Sequence, residues 1–144
     1  MTTFNTSRAI PAPVEQVFAA ISDPARLARW WGPAGFTNTF EVCQFRPGGR
    51  WLFTMHGPDG QDYPNESRFA EIEAPTRVVI EHVCEPRFRL TIVLAPSAGG
   101  TQVSWSQVFE RADVAEQVAT IVIPANEQNL DRLTAEVLRE LRES

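Results

Sequence analysis

His82 is the first side chain in this sequence that could carry acid–base chemistry. It shares the two-residue period of Val78 and Ile80, which places it on the inward face of a strand. An imidazole there could anchor a ligand or act as a general base, because its ordinary pKa lies near neutrality. The alternative is a core histidine whose nitrogens bond backbone or water. His82 is therefore a weak catalytic candidate.

The other polar candidates divide into one inward amide and three side chains without an expected role. Gln107 offers an amide donor and acceptor on an apolar strand face. His56 falls on the opposite face of its strand and should face solvent. Two histidines on opposite faces, with no carboxylate at ligand spacing, predict no metal site. Cys43 and Cys84 form no C-x-x-C pair, so we expect reduced thiols in a cytoplasmic protein.

Large apolar side chains on the same inward faces could line a ligand site, although such residues are more often plain core. The Trp30-Trp31 pair could form the lip of a cavity or plug the open end of a barrel. Asn126 could face the cavity one turn before Leu130, and Asn129 could do so if the helix is slightly rotated. Alternatively, these amides could cap the helix or be solvated. Besides His82 and Gln107, the predicted ligand-binding residues are Trp30, Trp31, Phe36, Phe53, Met55, Ile80, Ile92, Trp105, Phe109, Asn126 and Leu130.

Composition excludes several classes of function. The 144 residues carry a formal net charge of −5, which disfavours nucleic acid as a partner. The N-terminus lacks the pattern of a signal peptide, and no apolar run approaches the roughly 18 residues that span a membrane. The glycine-rich turns are not followed by helices, so they are not phosphate loops and no cofactor is expected. We expect one domain over residues 1–144 and no membrane insertion.

Periodicity assigns the elements that must position these side chains. A helix opens at Pro13, and a second follows Asp23 as N-cap with Pro24 as its first residue. A further helix is expected from Asp113 to about Ile123, with Pro124 as a break, a kink or the first turn of the last helix. The predicted strands are Thr3–Ile10, Thr39–Phe45, Arg50–His56, Ser67–Glu73, Arg77–Val83, Arg87–Ala95 and Thr101–Phe109.

This order, one strand, two short helices, six strands and a long helix, predicts an α+β fold with an internal cavity. Seven antiparallel strands with native twist curl into a partial barrel. One helix about 10 Å wide cannot fill a deeply curved sheet by itself. Inward polar residues such as His82 and Gln107 favour a pocket of mixed polarity between sheet and helix.

Specific motifs extend along nearly the whole chain: Ser22-Asp23-Pro24, Trp30-Trp31-Gly32-Pro33, Phe45-Arg46-Pro47-Gly48-Gly49, Gly57-Pro58-Asp59-Gly60 and Gln128-Asn129-Leu130-Asp131-Arg132-Leu133. As a set they resemble the bacterial proteins named after the activator of heat-shock-protein ATPase, in the START-like (SRPBCC) superfamily. The family often has glycine and a large residue where this chain has Ala125-Asn126. The resemblance implies a helix-grip fold, as in the birch pollen allergen: a curved seven-stranded sheet wrapped around a long C-terminal helix, with a cavity for a small molecule.

Three functions stay open at this point, because a fold does not fix an activity. The first is the binding of a small apolar or aromatic ligand without covalent chemistry. The second is an enzyme of the cyclase, dehydratase or hydrolase type, which would orient a reactive polyketide-like substrate in a dry pocket. The third, suggested by the family name alone, is a co-chaperone for a heat-shock ATPase. A homodimer is also conceivable.

Overall fold

Strands and helices follow one another in the predicted order. The computed structural model describes residues 2–143, and its strands are β1 (Thr2–Ile10), β2 (Thr37–Cys43), β3 (Gly49–His56), β4 (Asp62–Glu73), β5 (Arg77–His82), β6 (Phe88–Ser97) and β7 (Gly100–Phe109). The helices are α1 (Val14–Ser22), α2 (Pro24–Trp30) and α3 (Ala112–Glu143). All strand pairs are antiparallel, in the order β1-β7-β6-β5-β4-β3-β2. This is the predicted helix-grip α+β fold.

The C-terminal helix is where the structure departs most from the prediction. α3 runs without interruption through Pro124, which neither ends a helix nor begins one. A proline inside a helix removes one hydrogen bond and costs about 3 kcal/mol, so packing must hold the two halves in line. Leu130, Leu133 and Val137 are buried in the half that follows Pro124, and Ala115 is buried in the half that precedes it. Asp113 lies in the first turn of α3 instead of capping a helix.

Strand β4 begins five residues before the predicted Ser67, and it contains a proline. Pro64 pairs with Thr54 of β3, whereas the pairing of β4 with β5 begins only at Ser67. Pro64 therefore has a neighbouring strand on one side only, where a missing N–H is tolerated. The longer strand brings Asn65 to the inner face, two residues before Ser67.

The connection from α1 to α2 confirms the predicted cap. The Asp23 carboxylate accepts a hydrogen bond from the Ala25 N–H at 3.0 Å, and Pro24 is the first residue of α2. Helix α1 begins at Val14, one residue after the predicted start, because Pro13 has extended backbone angles. The short α2 ends beside two tryptophans that turn into the core.

An aromatic cluster fills one end of the space between sheet and helices. Trp51 on β3 is fully buried and stacks on Phe53 and Phe69, with ring centroids 4.3 and 5.3 Å apart. Trp31 packs edge-on against Trp51 at 4.9 Å. Burying each such ring removes 150–250 Å² or so from water, so this cluster is a major source of stability.

A buried carboxylate ties α2 to α3. Glu136 is 5% exposed and contacts Arg26 at 3.0 Å, Arg29 at 3.2 Å and Arg139 at 2.8 Å. Burial acts to raise the pKa of Glu136, but the hydrogen bonds from Arg139 and Arg26 outweigh it, so the pKa lies below its ordinary value. The carboxylate is thus stabilised in its charged form.

No helix among residues 2–143 has both the length and the apolar character needed to cross a membrane.

We predict that Glu136→Gln lowers the free energy of unfolding at pH 7 by about 3 kcal/mol, because it leaves arginines partly buried without their carboxylate. A depressed folded-state pKa gives a contribution that is complete above the unfolded pKa and is lost as the pH falls through the folded one. The difference between wild type and variant should therefore shrink below pH 4 or so. Urea denaturation of the wild type and the variant across this pH range measures the difference in their free energies of unfolding.

Asp113→Asn is the matched control, since Asp113 forms an exposed pair with Arg111 at 2.7 Å. Exposed pairs contribute at most about 1 kcal/mol, so this variant should change stability little. Equal effects of the two substitutions would contradict the importance of the buried cluster.

Candidate functional site

A cavity of about 230 Å³ lies between the sheet and α3. Its lining combines the inner faces of β3 to β7, the buried side of α3 and the segment that follows α2. The lining residues are Trp31, Gly32, Pro33, Phe53, Met55, Asn65, Ser67, His82, Pro86, Phe88, Leu90, Trp105, Gln107, Ile121, Val122, Ala125, Asn126 and Asn129. None of these side chains is an acid, a lysine or an arginine, so the wall is apolar with a few neutral polar groups.

An amide pair spans the cavity wall from sheet to helix. Asn126 Nδ2 donates to Gln107 Oε1 at 3.1 Å, and both residues are 7% exposed. Trp105, on the same strand as Gln107, has a buried indole Nε1 that makes no hydrogen bond within residues 2–143. An unpaired buried donor costs about 1–3 kcal/mol, and such groups are rare in native proteins.

His82 lies on the cavity wall with its ring held from both sides. Nδ1 lies 2.7 Å from the Pro86 carbonyl oxygen, Nε2 lies 2.7 Å from Asn65 Oδ1, and the ring stacks on Phe88 at 4.6 Å. Burial lowers the pKa of His82, while hydrogen bonds to the backbone of Pro86 and Cys84 act in the opposite direction. Both ring nitrogens are already engaged by the protein.

His56, by contrast, has its partners on the outside of the sheet. It is partly exposed and bonds Thr39 and Asp62, each at 2.7 Å. Among residues 2–143, no group of three or more His, Cys, Asp or Glu side chains could hold a metal ion.

Arg132 fixes the segment that closes one end of the cavity. Its two terminal nitrogens donate to five backbone carbonyls at 2.8–3.3 Å: those of Arg29, Trp31, Gly32, Pro33 and Phe36. The charge is met by carbonyl dipoles instead of a carboxylate. Burial lowers the pKa of Arg132, but a guanidinium stays charged at any physiological pH. We call the segment Trp31–Phe36 the closing loop.

Two amides of α3 complete this attachment from the other direction. The Gly32 N–H donates to Asn129 Oδ1 at 2.8 Å, and the Ala34 N–H donates to Gln128 Oε1 at 3.0 Å. Gly32 itself has φ +101°, and a Cβ there would lie 2.8 Å from the Met55 methyl group. The loop therefore needs glycine at this position for backbone and for space.

The structure brings seven of the thirteen predicted ligand residues to the cavity wall. They are Trp31, Phe53, Met55, His82, Trp105, Gln107 and Asn126. Six of them share the inward phase of their strands or the buried side of α3, and Trp31 lies in the closing loop. Asn129, which we considered if the helix were rotated, also lies there and bonds the closing loop.

The remaining six residues lie outside the lining, for two reasons. Trp30, Ile80, Ile92, Phe109 and Leu130 are packed within the core, where neighbouring side chains cover them. Trp30, for example, donates from Nε1 to the Ala20 carbonyl oxygen at 2.9 Å and forms no lip. Phe36 is partly exposed, and its ring packs near that of Tyr63, with the ring centroids 5.9 Å apart.

The predicted ligand-binding residues do not include Asn65, Ser67, Phe88 or the α3 residues Ile121 and Val122. The predicted strand begins only at Ser67, so Asn65 lies outside it, although both residues match the inward phase of Phe69. Ile121 and Val122 belong to a separate short helix in the prediction, because Pro124 indicates a break. Phe88 has the inward phase of its strand, but residue type alone does not distinguish a cavity wall from plain core.

Comparisons with known proteins agree with this architecture. Residues 11–137 match the family described as Activator of Hsp90 ATPase homolog 1-like protein. No curated protein matches the chain.

Solved structures from several bacteria superpose on nearly the whole chain. A solution NMR structure of a protein from Arthrobacter aurescens is 26% identical, with a TM-score of 0.87, and covers 95% of this chain and 86% of its own. A crystal structure from Chromobacterium violaceum is 26% identical, with a TM-score of 0.81 and coverages of 94% and 96%. The AHSA1 protein from Silicibacter pomeroyi is 20% identical, with a TM-score of 0.80 and coverages of 96% and 99%, and shows the fold alone.

We predict that Arg132→Lys releases the closing loop, because one ammonium group cannot reach carbonyls spread over the loop. The free energy of unfolding should fall by about 2 kcal/mol. Hydrogen exchange at the Gly32 and Ala34 amides, followed by NMR or mass spectrometry, should speed up roughly tenfold or more. Arg111→Lys, at an exposed pair, is the control and should leave both measurements unchanged. Unaltered exchange at the two amides in Arg132→Lys would contradict this role.

Proposed function

Because this chain belongs to the family described as Activator of Hsp90 ATPase homolog 1-like protein, whose fold it shares, we propose that its cavity binds a small neutral molecule. This molecule is apolar over most of its surface and carries at least one hydrogen-bond acceptor, such as a carbonyl oxygen. Binding without covalent change is the function that the cavity geometry supports best.

The neutrality of the ligand follows from the lining. A charged group moved from water into a wall of aromatic rings and amides would lose its hydration without gaining a counter-ion. The charged side chains that the structure describes lie outside the lining. A neutral molecule pays no such penalty.

The size of the ligand follows from the volume of the cavity. An enclosed apolar cavity of about 150 Å³ accommodates benzene. The cavity here, at about 230 Å³, has room for a ring with a short substituent. Drug-sized ligands need roughly 300–1,000 Å³, so long lipids and fused-ring systems would require the closing loop to move.

The observation that carries the proposal is the indole N–H of Trp105, a residue of the cavity wall, which has no hydrogen-bond partner within residues 2–143. The nitrogen is buried, so a ligand oxygen reaches it when neighbouring side chains shift. A ligand oxygen that accepts this hydrogen bond would relieve the cost of the buried donor. The Gln107–Asn126 bond uses one polar atom of each amide, which leaves the Gln107 nitrogen and the Asn126 oxygen as further partners. Orientation would come from these few polar groups and affinity from the rings.

The test compares two probes of equal shape, acetophenone and α-methylstyrene, in which a CH₂ group replaces the carbonyl oxygen. Both should raise the midpoint of thermal unfolding in a concentration-dependent way, because both should bind the folded state. In Trp105→Phe the ratio of the two affinities should shift against acetophenone by about fivefold, the equivalent of one neutral hydrogen bond.

Trp51→Phe is the matched control, since Trp51 also has a buried, unpaired Nε1 but does not line the cavity. It should leave the ratio unchanged. If neither probe shifts the wild-type midpoint, the proposed function fails. If both bind but Trp105→Phe keeps the wild-type ratio, the assignment of the indole as the polar anchor fails.

A further inference from the structure

A thiol and an imidazole meet at the end of β5, where His82 lines the cavity and Cys84 lies outside its lining. Cys84 Sγ lies 3.4 Å from His82 Nε2 and 3.8 Å from the Glu66 carbonyl oxygen. Cys84 as a residue is partly exposed to solvent. No sequence pattern indicates this pair, because a regular strand would place the side chains of residues 82 and 84 further from each other.

The hydrogen-bond partners of His82 determine where its protons can lie. The Pro86 carbonyl oxygen can only accept, so Nδ1 carries a proton. Asn65 Nδ2 donates to the Tyr63 carbonyl oxygen at 2.8 Å, which orients the amide so that Oδ1 points at His82 Nε2. Both imidazole nitrogens therefore face acceptors.

Both acceptors receive a hydrogen bond from the His82 ring only when the ring carries two protons. In the neutral ring, the Nε2 lone pair would face the Asn65 oxygen at 2.7 Å without a proton between them. The S–H group of Cys84 is the nearest donor that can supply the second proton. Transfer of that proton leaves a thiolate beside an imidazolium, and a neighbouring imidazolium stabilises a thiolate.

We propose that Cys84 is a nucleophilic thiol, activated by His82 and Asn65, that adds to small α,β-unsaturated carbonyl compounds. The thiol proton passes to His82 Nε2. Sulfur then bonds to the β-carbon, and the electron pair of the C=C bond moves onto the α-carbon and its carbonyl oxygen. The proton on Nε2 is finally delivered to the α-carbon. The step is a net addition that needs no oxidant, reductant or leaving group.

Several charged groups around the turn bear on this chemistry. Arg87 acts electrostatically against the protonation of His82, and Glu85 favours it. On β4, Glu66 presents its carbonyl oxygen to the thiol, while its carboxylate lies 3.7 Å from Arg50. From the end of β7, Glu110 bonds the Arg87 carbonyl through its N–H at 3.2 Å. Burial has the largest effect and lowers the pKa of His82, so the two acceptors that face its ring nitrogens must hold the second proton against it.

Cys43 is an internal standard in the same chain. It lies on β2, packed against the core, and burial raises the pKa of its thiol to about 11. Near neutral pH it should therefore be almost entirely protonated and slow to react. Both cysteines are free thiols, so the same chain provides the comparison.

The experiment uses acrylamide, a neutral acceptor, with the full chain carrying either Cys43→Ser or Cys84→Ser. Intact-mass spectrometry measures the rate of adduct formation from pH 6 to 9, with N-acetylcysteine as a simple thiol. Cys84 should react about tenfold faster than Cys43 at pH 7. Its rate should fall less steeply below pH 8 than that of N-acetylcysteine, which loses about tenfold per pH unit there.

His82→Gln and Asn65→Leu, each combined with Cys43→Ser, should slow the reaction several-fold at pH 7 and converge on the parent rate at pH 9. If a variant does not fold, the pH profile of the Cys43→Ser protein alone decides. A profile for Cys84 that parallels N-acetylcysteine, or a folded His82→Gln protein with the parent rate, would overturn the proposal. The outcome is independent of the cavity, because it requires no ligand there.

Discussion

The cavity depends on one cation that is surrounded by main-chain oxygens. The guanidinium of Arg132 on α3 collects five carbonyls from the end of α2 and the closing loop. Carbonyls that face inward at a chain reversal are costly unless they are bonded, and one arginine with its planar set of donors satisfies them together. The same contact fixes the distance between α3 and the mouth of the sheet. Side chains on the two surfaces can then approach without filling the space between them.

That space persists because its boundaries are stiff. On one side, Trp51 and its stacked neighbours form a rigid aromatic block under β2 to β4. On the other, α3 is held by Glu136 and its arginines near one end and by the Arg8 contacts with Glu127 and Asp131 nearer the middle. A helix fixed at both places cannot sink towards the sheet, and the interior next to Trp105 stays open. A flexible boundary would have closed it, since packing gains favour contact.

The fold could be predicted from the sequence, whereas the site could be predicted only in part. Burial alternates strictly along β7, so the inward face of that strand follows from residue type alone, whereas the apolar Leu52 interrupts the pattern on β3. Pro124 misled the prediction of the last helix, because it stands inside a helix that runs through it. The role of Arg132 and the contact of Cys84 with His82 escaped the sequence interpretation because both arise from tertiary placement of loops. No periodicity records that a side chain will meet five carbonyls of a distant segment.

His82 stands at the meeting point of the two proposals. Its ring belongs to the cavity wall, while its nitrogens are bound by Asn65 and the turn that carries Cys84. An imidazole placed there to anchor a guest would keep one nitrogen unbonded, and this one does not. Its geometry suits a proton held for the thiol better than a hydrogen bond offered to the interior. The polar contact for a guest then falls to Trp105 on β7, across the sheet, and the two sites can be altered separately.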